Sequence, residues 1–217
     1  MLVFHSDQLD SNKEIDKRVL EIMGKGNPKF GYIPSCADIE RTYYNLKKDY
    51  YKSLGVDLDI YFDLDQEYDS SKIDRLLECD AIFLSGGNTY YFMNNIRKRK
   101  FGKVLEKFHK KGGVIIGVSA GAMVLTSSIE SSNICGDIND TNLENSDGLN
   151  FVNFDFVPHL NIQSNMIEEL KKYSLDNKSK KIFVCNDGSG LIINNNKIEI
   201  IGDVYLTYNG DLIPMID

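Results

Sequence analysis

Two hydrophobic periods alternate along the chain. Ile15, Val19, Ile22 and Met23 recur at helical spacing, and Ser11 and Glu14 ahead of them have the spacing of a capping box. Segments 39–54, 71–77 and 103–111, and those opening at Thr89 and Ala120, carry the same amphipathic signature, with Gly55 placed to end the second helix. Between them lie short apolar runs at 2–5, 30–34, 58–62, 81–84 and 113–118. Unbroken runs of this kind mark strands covered on both faces. Strand-helix alternation predicts an α/β fold, a doubly wound and mostly parallel sheet with its ligand crevice at the carboxyl ends of the strands. Beyond Ile182 the pattern changes. Runs 183–185, 191–193, 198–201 and 204–206 are separated by Gly, Asn and Asp turns, which predicts β-hairpins added at the sheet's edge. No repeat or linker divides the sequence, so residues 1–217 are expected to form one domain.

Charge narrows the partners. Lys and Arg total 25 against 32 Asp and Glu, a net charge of −7, and that field disfavours nucleic acid and anionic membrane surfaces. The longest uncharged run, 112–129, is rich in Gly and Ala and reads as a buried strand, turn and helix rather than a membrane span. Neither a basic leader nor a long apolar stretch opens the N-terminus, so no signal peptide is expected. Cysteines at 36, 79, 135 and 185 make no CxxC pair, which points to reduced, core-filling thiols and a cytoplasmic location.

Gly117-Val118-Ser119-Ala120-Gly121 has the G-x-S-x-G pattern of a nucleophile elbow, between a buried strand and a helix where that motif belongs. Small neighbours let backbones approach the sharp turn, and the new helix aims unpaired N–H groups at the serine. The plain alternative is a glycine-rich turn with a capping serine. A serine nucleophile needs a base. Of three histidines, His109 reads as a solvated residue of a Lys-rich helix and His5 as a polar strand end; His159, after Pro158, is the only one beyond Ser119. The carboxylate that would orient it is Asp187, beside Gly188-Ser189-Gly190, with Asp155 and Asp203 as competitors and a turn-forming role as the alternative for each. In Ser85-Gly86-Gly87-Asn88-Thr89 two glycines allow a backbone N–H to face a substrate, with Asn88 or Thr89 capping the helix behind. No Walker motif, G-x-G-x-x-G, HExxH or paired CxxC is present, so no cofactor or metal is expected.

Taken together, Ser-Gly-Gly-Asn-Thr at 85–89, Gly-Val-Ser-Ala-Gly-Ala at 117–122, Pro-His at 158–159 and Asn-Asp-Gly at 186–188 resemble the S51 serine peptidases, the family of dipeptidase E and cyanophycinase. The resemblance implies a class I glutamine-amidotransferase-like fold. It also implies Ser119 as nucleophile, His159 as base, Asp187 where dipeptidase E has glutamate, and an oxyanion hole from the N–H groups of Gly87 and Ala120. The expected activity is cleavage of short peptides through an acyl-enzyme. An α/β-hydrolase esterase or amidase is disfavoured because that fold places its acid before its histidine, and a degenerate ligand-binding relative is the non-enzymatic alternative. One departure bears on specificity. The 27 residues between His159 and Asp187, where aspartyl dipeptidases supply arginine for the substrate's aspartate, contain no arginine, so little preference for aspartate is expected. Asn88 and Arg41 are the candidate substrate-binding side chains, with Lys171 and Lys172 as substitutes for arginine.

Overall fold

The computed structural model describes residues 1–161 and 166–215. β1 (Leu2–His5), β2 (Lys29–Ile33), β3 (Asp57–Tyr61), β4 (Ala81–Leu84) and β5 (Val114–Val118) lie parallel, interleaved with α1 (Glu14–Met23), α2 (Thr42–Lys52), α3 (Ile73–Leu76), α4 (Thr89–Lys98) and α5 (Gly102–Lys110). α6 (Ala120–Met123) follows β5, and then come β6 (Asp155–Val157), α7 (Met166–Asp176), β7 (Ile182–Cys185), β8 (Gly190–Asn194), β9 (Lys197–Ile201), β10 (Val204–Tyr208) and β11 (Asp211–Pro214). The main sheet runs β3-β2-β4-β5-β1-β8-β9, with β8 and β9 antiparallel. Successive residues of its strands feed opposite cores. Val3, Phe83 and Ile116 pack with Ile15, Val19 and Tyr51 on one face, while Phe4, Ile82 and Ile115 pack with Phe92, Ile96 and Leu105 on the other. Each such large side chain contributes about 1.5–3 kcal/mol by leaving water.

Several boundaries are set by side-chain caps. Ser11 does not cap α1: the helix opens at Glu14, whose N–H is taken by Asn12 Oδ1 at 3.1 Å, because a tight turn from Leu9 to Asn12 occupies the residues before it. α2 begins three residues later than 39. Arg41 has φ 60°, which no helix accommodates, and Asp38 Oδ2 accepts the N–H of Tyr44 at 2.9 Å. Segment 71–77 splits into a 3₁₀ turn and the single turn of α3.

The expected C-terminal hairpins form, as β8–β9 and β10–β11, but not all of these strands lie at the main sheet's edge. Only β8 and β9 extend the main sheet; β11-β10-β7-β6 form a second one, in which β6 and β7 are parallel. The reason lies in β7, which is apolar on both faces. Phe183 and Cys185 join the main core, whereas Ile182 and Val184 pack under Met166 and Leu170 of α7. Asp155 therefore lies within this second sheet and Asp187 just beyond its end, at the mouth of the first.

Candidate active site

Ser119 stands where β5 meets α6 with φ 51° and ψ −114°. A non-glycine residue held there costs of order 1–3 kcal/mol and persists only where its surroundings enforce it. They do so here. Ser119 N–H donates to the His5 carbonyl at 3.0 Å, and the flanking glycines leave no room for side chains: a Cβ on Gly121 would fall 2.1 Å from the Leu84 carbonyl oxygen, and one on Gly117 would fall 2.4 Å from that of Gly121. The elbow is thus pinned between β1 and β4 with its hydroxyl raised toward the crevice.

Ser119 Oγ lies 2.9 Å from His159 Nε2, and His159 Nδ1 lies 2.7 Å from Asp187 Oδ1. Three residues separated widely in sequence therefore form one hydrogen-bonded chain. The competing acids do not reach the imidazole. Asp155, fully buried, accepts from Tyr173 Oη at 2.7 Å and Lys180 Nζ at 3.2 Å; Asp203 takes the Asn186 amide at 3.3 Å. The other histidines are also elsewhere. His5 is buried with Nε2 3.5 Å from Asp16. His109 is half-buried, edge-on to Phe151 at 5.7 Å, and burial holds its pKa below the ordinary value, so it is not the solvated residue its Lys-rich helix suggests.

Two further residues secure the chain. Ser6, fully buried just past β1, accepts the N–H of His159 at 2.7 Å and donates to Asp187 Oδ1 at 2.8 Å. Asn161 Oδ1 accepts the N–H of Asp187 at 2.8 Å. Sequence reasoning passed over both. Ser6 could have been found from its position alone, since every parallel strand ends at this crevice. Burial by itself would lower the imidazole pKa, but the hydrogen bond and charge of Asp187, joined by the charges of Asp7 and Asp137, outweigh it and raise His159 above 6.5. Burial likewise opposes ionisation of Asp187, yet the bonds from His159 and Ser6 hold its pKa below 3.8.

A cavity of about 460 Å³ opens beside Ser119 and His159, lined by Gly86, Gly87, Tyr32, Cys36, Tyr43 and Lys47 among others. Gly87 has φ 140°, and a Cβ there would meet Ser35 Oγ at 2.2 Å. Ser35 Oγ in turn donates to the Gly86 carbonyl at 2.5 Å, and the Ser35 N–H donates to Ser85 Oγ at 2.8 Å, which fixes the loop against Ser119. Ala120, the other expected oxyanion donor, is the buried first residue of α6. The two candidate substrate-binding side chains are engaged elsewhere. Asn88 caps α4 through the N–H of Tyr91 and donates to the Ile138 carbonyl, each at 2.9 Å. Arg41 is held by the Asp38 carbonyl and Glu67 and stacks 3.7 Å from the centre of the Tyr61 ring, so it does not line the cavity. Lys171 and Lys172 stand exposed on α7. Cys79 and Cys185 fill core as expected, with burial pushing the Cys79 thiol up to about 12, but Cys36 is exposed at the cavity. Among the described residues no cluster of His, Cys, Asp or Glu could hold a metal ion, and no helix is long and apolar enough to cross a membrane.

An uncharacterized peptidase of Listeria monocytogenes is 28% identical over 133 residues, 60% of this chain and 64% of that protein. One from Pasteurella multocida is 25% identical over 136 residues, 61% of this chain and 65% of the relative, so the chain matches just under two thirds of the length of each. Peptidase E of a Nostoc species is 24% identical over 209 residues, 90% of this chain and 82% of that one. Two solved structures share the fold. A Listeria monocytogenes protein provisionally named peptidase E has a TM-score of 0.75 at 21% identity, covering 92% of this chain and 96% of its own. A peptidase from an acI-B1 actinobacterium also gives 0.75, at 18% identity, covering 99% of this chain and 93% of its own. The model of peptidase family S51 matches residues 2–201, nearly the whole sequence, and the chain belongs to that family.

Proposed function

We propose that the protein is a serine peptidase that cleaves short peptides through an acyl-enzyme, with Ser119, His159 and Asp187 as its triad. Ser119 Oγ attacks the scissile carbonyl while its proton passes to His159 Nε2. The imidazolium, stabilised by Asp187, then protonates the leaving amine, and a water activated by the same base releases the acid and restores the serine. The N–H groups of Gly87 and Ala120 would hold the oxyanion. The observation that carries this reading is the 2.9 Å and 2.7 Å relay ending on a serine in a strained, positive-φ turn. Family membership supports a peptide substrate, and a 460 Å³ cavity suits one a few residues long. The −7 charge argues against nucleic acid as a partner, and cysteines without a CxxC pair support a reducing, cytoplasmic setting.

A fluorophosphonate probe is expected to label the folded protein once, at Ser119, and a dipeptide panel run beside short esters to favour the peptides. A folded protein that neither labels nor hydrolyses would be a ligand-binding relative instead; turnover confined to esters would make it an esterase.

The pH dependence has a fixed sign. Only neutral His159 accepts the serine proton, so kcat/KM must be low in acid and rise through the imidazole pKa. Because Asp187 and its acidic neighbours raise that pKa, the acidic limb measured with an uncharged substrate is expected to have its midpoint above 6.5. A midpoint below that value would mean that burial outweighs the carboxylates.

A further inference from the structure

α2 forms one wall of the cavity and turns Tyr43 and Lys47, one helical turn apart, toward it. Lys47 is half-buried. Among the described residues it has no ion pair and no hydrogen bond, and its ammonium stands 5.4 Å from the centre of the Tyr50 ring. Among the described residues no other lysine or arginine lines the cavity. An ammonium drawn partly out of water loses hydration that a partner should replace. Burial does pull its pKa down, with the charges of Asp7, Asp16 and Asp10 opposing.

The rest of the wall makes this cation matter. Asp38 is committed to the N–H of Tyr44 at the head of α2, and Asp7 accepts the N–H of Gln8 at 2.7 Å; both carboxyl-bearing residues line the cavity. Lys47 is the lysine on this lining that can offset these groups for a substrate carboxylate. The geometry supplies a cation without a partner, on a cavity wall, in the space shared with the reactive hydroxyl.

We propose that Lys47 is the carboxylate-recognising residue of this cavity, selecting short peptides whose free carboxylate reaches its ammonium while the scissile carbonyl lies at Ser119. The proposal rests on the peptidase reading of Ser119. Two carboxylates could serve, the peptide's C-terminus or the side chain of an acidic residue, and both present the same chemistry to the ammonium.

Binding to the Ser119→Ala protein, measured by titration calorimetry, reads recognition without turnover. Leu-Ala against Leu-Ala amide tests the terminus, and Asp-Ala amide against Asn-Ala amide tests the side chain. In at least one pair the acid is expected to bind about tenfold or more tightly than its neutral counterpart, the size of a charge-assisted hydrogen bond. In Ser119→Ala/Lys47→Met the ratio should fall below about twofold, and Lys47→Arg should restore most of it. Methionine keeps the apolar stem, and a melting curve reports whether the fold survives. A purely structural lysine would weaken acid and neutral ligand alike and leave the ratio unmoved. Equal binding in both pairs, a preference that survives Lys47→Met, or no binding at all overturns the proposal. Failure of fluorophosphonate to label Ser119 is a separate result that overturns the peptidase reading, while the acid-to-neutral ratio is still read.

Discussion

Ser119→Ala and His159→Ala are each expected to lower turnover by at least about 10⁴-fold while the protein stays folded, since members of a triad act as a unit and losing one forfeits most of what all three provide. Folding should survive for a structural reason. Among the described residues the only hydrogen bond of Ser119 Oγ is the one to His159, and the bond that pins the elbow, to the His5 carbonyl, comes from the backbone and remains in alanine. His159 is likewise anchored to Ser6 by its N–H rather than its ring. Steady-state rates on the best dipeptide, with circular dichroism as the fold control, decide the matter. Near-native turnover in either variant would sink the mechanism.

The second large effect is expected at Asp187. Asparagine in its place keeps the shape but offers Nδ1 an amide donor, so the imidazole turns to the tautomer protonated at Nε2 and can no longer accept from Ser119. The comparable substitution in a well-studied serine protease costs about 10⁴-fold, and a loss approaching that is expected in kcat for Asp187→Asn. The other candidate acids supply the contrast. Asp155→Asn removes a buried charge that Tyr173 and Lys180 hold far from the imidazole, so its cost should appear in the melting temperature and not in kcat. Asp203→Asn should do little to either. If kcat instead fell most at Asp155 or Asp203, the loop carrying Asp187 would be only a turn.

Much of this was legible in the sequence because the parallel core obeys local rules. The run Ala81–Leu84 and the start of α4 at Thr89 follow from an unbroken apolar stretch, a Gly-Gly turn and a capping asparagine. Where reading failed, a longer-range contact had decided the outcome. The start of α2 depends on a carboxylate three residues ahead of an unusual backbone turn, and the second sheet depends on which side of β7 each residue faces once α7 has folded over it. Asp187 and Asp155 look alike in sequence, and only the β6–β7 pairing separates them. Arg41 looked free to reach the crevice because its partners, Glu67 and Tyr61, come from later in the chain. Nothing in a helix that also carries Lys48 and Lys52 marks Lys47 as the lysine turned inward.

The hydroxyl of Ser6 meets His159 across 153 positions and Asp187 across 181. Synthesis delivers the N-terminus first, and contacts that close long loops are among the slowest to form. β1, β4, β5 and the elbow can therefore exist on a growing chain while the imidazole is still unmade and the carboxylate is still further from leaving the ribosome. Until His159 and Asp187 have been made, the Ser119 hydroxyl has neither of the hydrogen-bond partners that follow it in this chain of contacts. On the proposed mechanism competence would therefore arrive last, and a chain stalled or clipped before its final third would leave Ser119 harmless to the unfinished polypeptides around it.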